Sequence, residues 1–159
     1  MGIDSSTGKS KVESSSILPD VTMTNIRIDA SPNATVGGWL TFYGDMSNIG
    51  KASVVRADGR PTIDYSLEMA GKDGSGSVTV VSSRSIGTNS GMYLDIGEKK
   101  EIYRTYQVQD SAKGKDLSFR LCGEKLSDGF GGVGELSANN NCTEWRNVSV
   151  SSTGNVLVR

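Results

Sequence analysis

From Ile17 to the C-terminus, the sequence runs in short stretches that alternate apolar and polar residues, broken by Gly, Asn, Asp or Pro. No stretch sustains the 3.6-residue period of an amphipathic helix over three turns. A period of two puts successive side chains on opposite faces, so one face can bury while the other stays wet. That pattern leaves little room for a helical fold. It predicts an antiparallel, all-β architecture with polar faces outward, a two-sheet sandwich of about seven or eight strands.

The strands are read at Val21–Ile28, Trp39–Ser47, Thr62–Met69, Val78–Ile86, Lys100–Val108, Leu117–Cys122 and Glu144–Val150. Val156–Val158 either extends the last one or frays. On Trp39–Ser47, Leu40, Phe42, Gly44 and Met46 share one face, and Trp39, Thr41, Tyr43 and Asp45 the other. Thr62–Met69 alternates most cleanly, with Ile63, Tyr65, Leu67 and Met69 inward. Val78–Ile86 is more polar and reads as an edge strand. In Lys100–Val108, Ile102, Tyr106 and Val108 point inward, which leaves Arg104 where the alternation calls for an apolar residue.

Residues 1–16 are polar and small, and carry too little apolar surface to offset the entropy of ordering. They read as a disordered tail or linker, and residues 17–159 as a single domain. They hold no apolar stretch of the kind a secretion leader needs. The chain is therefore expected to be either cytosolic or a secreted piece whose leader or anchor is absent. No apolar run approaches the roughly 18 residues of a membrane helix. Composition excludes several chemistries. There is no histidine, so Ser-His-Asp and Cys-His catalysis and imidazole-built zinc sites are ruled out. Lys plus Arg is 17 against 18 Asp plus Glu, which is not the basic excess of a nucleic-acid binder.

Cys122 ends one strand and Cys142 opens the last. The Gly-rich loop Asp128–Gly134 lies between them, so neighbouring strands would bring the thiols together. A disulfide closing a loop of about 20 residues contributes roughly 3 kcal/mol in the chain-entropy model. It points to an oxidising compartment, and so favours the secreted reading. Two cysteines without histidine do not close a tetrahedral metal shell, so no metal is expected.

The order of several segments resembles the CARDB family, the cell-adhesion-related domain found in bacteria. They are Leu18–Val21, Ser31–Asn33, Thr35–Gly37, Trp39–Gly50, Leu94–Glu98, Leu117–Cys122 and Gly134–Cys142. The resemblance spans Leu18 to Val150, and its strongest part is Glu135 followed by Asn140-Asn141-Cys142. It implies a seven-stranded immunoglobulin-like sandwich, secreted or surface-exposed, without catalysis, used in adhesion or as a spacer. The chain departs from the family in extra residues around Arg56–Arg60, in the Gly-rich loop between the cysteines, and at Arg104. Asn139-Asn140-Asn141 reads independently as a turn, since Asn tolerates the left-handed backbone.

Other motifs fail on context. Asp73-Gly74-Ser75-Gly76-Ser77 has the D-x-S-x-S form of a divalent-metal site, but strand-like residues follow it where a helix is needed, so it reads as a turn. Thr7-Gly8-Lys9-Ser10 lacks the glycine and the preceding strand of a phosphate loop. The sequons at Asn33, Asn141 and Asn147 read as chance in an Asn/Ser-rich chain.

One surface feature stands out. Trp39 and Tyr43 point away from the core face, and so does Tyr103 if Ile102 points in. Neighbouring strands would place the three on one outer face as a candidate patch for a partner or sugar. The expected function is a non-catalytic extracellular or cell-surface module for adhesion, spacing or assembly, without cofactor. Its partner would be a protein or glycan at a cell surface, or another copy of itself. The alternatives are a pilin-like filament subunit without its anchoring segment, and a carbohydrate-binding accessory domain of a secreted protein.

Overall fold

The structure is a computed structural model that describes residues 20–30, 34–51, 54–55, 62–87, 92–123 and 141–158. At 54–55, 62–64, 85–87 and 92–93 it describes the backbone alone. The polar segment 1–16, the sequon at Asn33, residues 56–60, the Gly-rich loop and Glu135, Asn139 and Asn140 lie outside the described residues. So does the side chain of Ile63.

Eight strands form two antiparallel sheets. The first sheet has the order β1-β2-β7, with β1 at Val21–Ala30, β2 at Trp39–Asn48 and β7 at Lys99–Gln107. The second has the order β10-β9-β8-β4-β5. Its strands are β4 at Thr62–Gly71, β5 at Thr79–Gly87, β8 at Asp116–Gly123, β9 at Arg146–Val150 and β10 at Val156–Val158. Two short strands, β3 (Val54–Val55) and β6 (Met92–Leu94), pair with each other. Among the described residues the only helical elements are single 3-10 turns at Lys72–Gly74 and Asp110–Ala112. This is the all-β, two-sheet sandwich that the alternation predicts, of the immunoglobulin-like kind that the family resemblance implies. β5 is an edge strand, as its polarity implied, and Val156–Val158 extends the five-stranded sheet by pairing with β9.

The core forms where the inner faces meet. Leu40, Phe42 and Met46 of β2 are buried against Leu67 of β4 and Phe119 and Leu121 of β8. The Phe119 ring lies 4.6 Å from Phe42 and 5.1 Å from Tyr106. Gly44 also faces inward. A Cβ there would come within 2.8 Å of Leu121 Cδ1, so any larger residue would have to displace that side chain.

β1 breaks the strict alternation. A bulge interrupts the β1–β2 register between Thr24 and Arg27, and Asn25 takes φ 60. Asn accepts this left-handed backbone at low cost. The extra residue lets Met23 and Ile26, three apart, both bury. It also brings Arg27 level with Tyr43 on the outer face.

Asn48 ends β2 with no exposed surface. Its Oδ1 accepts from the Asp20 and Gly50 amides at 3.1 and 3.0 Å, and its Nδ2 donates to the Leu94 carbonyl at 3.2 Å. One carboxamide thus ties three chain segments together, which a buried polar side chain requires.

The two lateral margins of the sandwich differ. At one, the turn after β1 hydrogen-bonds to the segment around β10: Val36 N donates to Gly154 O at 2.9 Å and Val156 N to Ala34 O at 3.0 Å. At the other, β7 and β5 are the free edges of their sheets and face each other. Side chains span that gap. The Tyr65 hydroxyl donates to the Tyr103 carbonyl at 3.3 Å, and Arg104 Nε donates to Ser82 Oγ at 2.7 Å.

Candidate functional site

The outer face of the β1-β2-β7 sheet carries the predicted aromatics. Tyr43 and Tyr103 are direct cross-strand partners, with ring centroids 6.0 Å apart. Arg27 is paired with Tyr43 on the β1 side. On the β5 side, Arg84 sits 5.8 Å from the Tyr103 ring centroid and donates to its hydroxyl at 3.5 Å. The result is a row across the sheet: Arg27, Tyr43, Tyr103, Arg84. Trp39 is not part of it. It lies four residues from Tyr43 on the same strand, about 13 Å away at the strand rise. It pairs with Gln107 and is 58% exposed.

The next row is acidic and holds Arg27 in place. Arg27 donates to the Glu101 carboxylate and lies 3.5 Å from Asp45. Asn25 Nδ2 also donates to Asp45 at 3.1 Å. Burial pushes the Asp45 carboxyl upward, but the hydrogen bonds from Asn25 and Arg27 and the Arg27 charge outweigh it. The net pKa lies below the usual aspartate value.

Trp39 instead helps to line a cleft of about 590 Å3 at the free margin between β5 and β7. Tyr106, Met69 and Val81 contribute its apolar part, and Arg104, Gln107 and Gln109 its polar part. Arg104 does occupy an inner position of β7, opposite Phe42, as the misfit in the alternation indicated. The register is therefore the simple one, and the arginine escapes the core by leaning to the sheet edge.

Cys122 and Cys142 are joined by a disulfide. Residues 141–143 pair with the end of β8. Gly123 N donates to Asn141 O at 2.7 Å and Thr143 N to Leu121 O at 2.8 Å. Those bonds flank the Cys122–Cys142 pair, making it a non-hydrogen-bonded cross-strand pair, the site where side chains come closest. On the same sheet, Arg120 is held between Glu68, at 2.8 Å, and the Trp145 ring, at 4.4 Å. The sequence reading did not single out this group; only residue types capable of stacking and pairing marked it.

Asp73 sits in a 3-10 turn with φ 56. Its carboxylate accepts from Asn147 Nδ2 at 2.7 Å, and its amide donates back to Asn147 Oδ1 at 3.0 Å. The D-x-S-x-S segment is thus a turn clamped onto β9. The same bonds occupy the Asn147 carboxamide, and Asn141 is buried, so neither sequon offers a free amide to a glycan. The only grouping of three metal-ligand residues among the described residues is Glu68 with Cys122 and Cys142. Its two sulfurs are bonded to each other. No helix among the described residues is long and apolar enough to cross a membrane.

No family model matches the chain, and no curated protein does. Solved structures do. The CARDB domain of a Pyrococcus furiosus protein, determined in complex with di-metal ions, matches with a TM-score of 0.52 and 19% identity, covering 84% of this chain and 89% of that one. The chain thus has the fold of a CARDB domain. β-Glucosidase 3B from Thermotoga neapolitana matches at TM-score 0.46 and 10% identity, over 89% of this chain and 17% of that one. A sporulation control protein from Bacillus subtilis matches at 0.39 and 15%, over 72% and 45%.

Proposed function

We propose that the chain is a non-catalytic recognition module that works outside the cytoplasm, in adhesion or assembly at a cell surface. The observation that carries this reading is the row of Arg27, Tyr43, Tyr103 and Arg84. Two neighbouring tyrosines, their rings tilted 41° to each other, lie on an outer sheet face, with a guanidinium at each end. The sandwich does not need them for its core. Tyrosine offers rigid apolar area with a polar tip, and arginine adds directional donors, which is the composition of a contact surface. The disulfide supports an oxidising location.

The test is binding by the purified domain to arrays of neutral glycans and to cell-surface protein of the source organism. The double variant Tyr43→Ser/Tyr103→Ser should stay folded, melting a few degrees lower for the lost ring pair (about 1 kcal/mol), and lose binding. A variant that still binds, or a native protein recovered from the cytosol with free thiols, overturns the reading.

Self-assembly is favoured by a separate observation. Val78, just before β5, and Val80, within it, are 46% and 57% exposed at the free margin, where edge strands invite pairing with another chain. Sedimentation at rising concentration tests it. A monomer throughout excludes assembly through this edge.

A further inference from the structure

We infer that the cleft between β5 and β7 binds an acidic saccharide, with Arg104 taking a ring carboxylate and Trp39 packing against the sugar face. This inference is independent of the tyrosine row, which lies on the outer sheet face. It begins with an inward-facing arginine on an edge strand, which reaches the sheet margin and meets no carboxylate there among the described residues. Along β7, Ile102, Tyr106 and, just beyond the strand, Val108 are buried apolar residues, and Arg104 stands between them opposite Phe42. Arg104 is half-buried, and its one described contact is the hydrogen bond from Nε to Ser82 Oγ at 2.7 Å. Among the described residues no carboxylate pairs with it, whereas Arg27 has two and Arg120 one. Partly desolvating a guanidinium without a counter-charge is unfavourable, and an apolar residue of similar volume would suit that position better.

The surroundings indicate what the counter-charge is attached to. The cleft's volume of about 590 Å3 falls within the roughly 300–1,000 Å3 of small-ligand sites. Trp39 at its rim is largely exposed, with a flat face suited to the C–H face of a pyranose ring. Gln107, Gln109, Ser111, Thr105 and Ser82 supply amides and hydroxyls, the groups that pair with sugar hydroxyls. Gln109 Nε2 donates to the Gln107 carbonyl at 2.9 Å and Gln107 Nε2 to the Gly37 carbonyl at 3.1 Å, which leaves each side chain its Oε1 and a second N–H for a ligand. A planar guanidinium recognises a carboxylate through two parallel hydrogen bonds, which selects a uronic acid over a neutral sugar.

The experiment titrates the whole chain with trigalacturonate, with the neutral galactotriose, and with hexaglutamate, reading the Trp39 indole and Arg104 Nε resonances by NMR. Trigalacturonate should shift both and galactotriose should bind much more weakly. Arg104→Met should fold with a melting temperature at or above wild type and bind trigalacturonate at least about tenfold more weakly, with Arg104→Lys giving little recovery. Trp39→Ala should weaken binding, while Tyr43→Ser/Tyr103→Ser should not. No shift with trigalacturonate, equal binding of galactotriose, or unaltered binding by Arg104→Met overturns the inference. Equal binding of hexaglutamate overturns the sugar assignment and makes the cleft a general carboxylate site.

Discussion

Removing the Cys122–Cys142 bond should cost the domain about 3 kcal/mol, and the loss should arise in the unfolded chain. The bridge spans a sequence separation of 20. The loop-closure relation then gives about 11 cal/mol/K, or about 3.3 kcal/mol at 25 °C. The native side of the balance changes little. The ladder bonds from Gly123 to Asn141 and from Thr143 to Leu121 do not depend on sulfur. Nor does the bond from the Leu121 amide to the Thr143 hydroxyl, at 3.0 Å. Segment 141–143 is therefore expected to stay paired with β8 after reduction. At roughly 2–4 °C per kcal/mol for a domain of this size, the melting temperature should fall by about 10 °C. The assay is urea and thermal unfolding of oxidised protein, reduced protein and Cys122→Ala/Cys142→Ala. The denaturant slope should rise when the bond is absent, because an unclipped unfolded chain exposes more surface. A loss below about 1 kcal/mol would refute the chain-entropy argument. So would loss of hydrogen-exchange protection at the Gly123 and Thr143 amides under native conditions, since it would show that the bond holds the native ladder together.

Three further outcomes follow from buried or constrained groups. Asn48→Ala leaves the Asp20 and Gly50 amides and the Leu94 carbonyl without the carboxamide they bond; at ~1–3 kcal/mol per buried polar group, urea unfolding should show a loss of about 3 kcal/mol or more. Gly74→Ala should cost roughly 2–4 kcal/mol through left-handed strain and overpacking, because Gly74 has φ +82 and a Cβ there would lie 2.4 Å from Trp145 Nε1. Its effect should be non-additive with Trp145→Ala in a double-mutant cycle. The depressed Asp45 pKa gives stability that is present above the unfolded carboxylate value, near pH 4, and is lost as pH falls through the folded value. Asp45→Asn should therefore flatten the acid limb of a stability-against-pH curve while leaving a smaller stability at neutral pH, and an unchanged acid limb would contradict the Arg27–Asn25–Asp45 assignment.

The strands that alternate strictly were legible because each needs only its own residues to declare a face. Leu40, Phe42, Gly44 and Met46 fall inward as written, with glycine where a Cβ would press on the Leu121 side chain. β1 was legible as a strand but not in its facing. Strict alternation groups Met23 with Asn25 and Arg27, and only the bulge at Asn25 brings Ile26 in and turns Arg27 out. A bulge depends on the partner strand's register, which the sequence of β1 does not contain. β3 and β6 escaped for a simpler reason. Two and three residues are too few to show a period, and their pairing is non-local.

The candidate sites divide along the same line. Tyr43 and Tyr103 meet because β2 and β7 are neighbours, a relation that the immunoglobulin-like topology supplies. Trp39 shares the strand of Tyr43 and its alternation, so the sequence grouped all three. Four residues of extended chain nevertheless separate it from Tyr43, and the side chain serves a different feature at the sandwich margin. Arg104 shows how an apparent error in a pattern can carry information. Read within β7 alone, it is a charged residue at a core position, and the natural repair is to shift the register by one. The structure keeps the register and places β5, from the opposite sheet, alongside it, so that Ser82 receives the guanidinium. An edge strand can hold an inward-facing arginine because its side chain need only lean sideways to reach solvent. The same residue on β2, enclosed between β1 and β7, would have no such exit. The misfit thus locates β7 at a sheet edge, and the absence of a described carboxylate beside it makes that edge, rather than the centre of a face, the place to look for an anionic ligand.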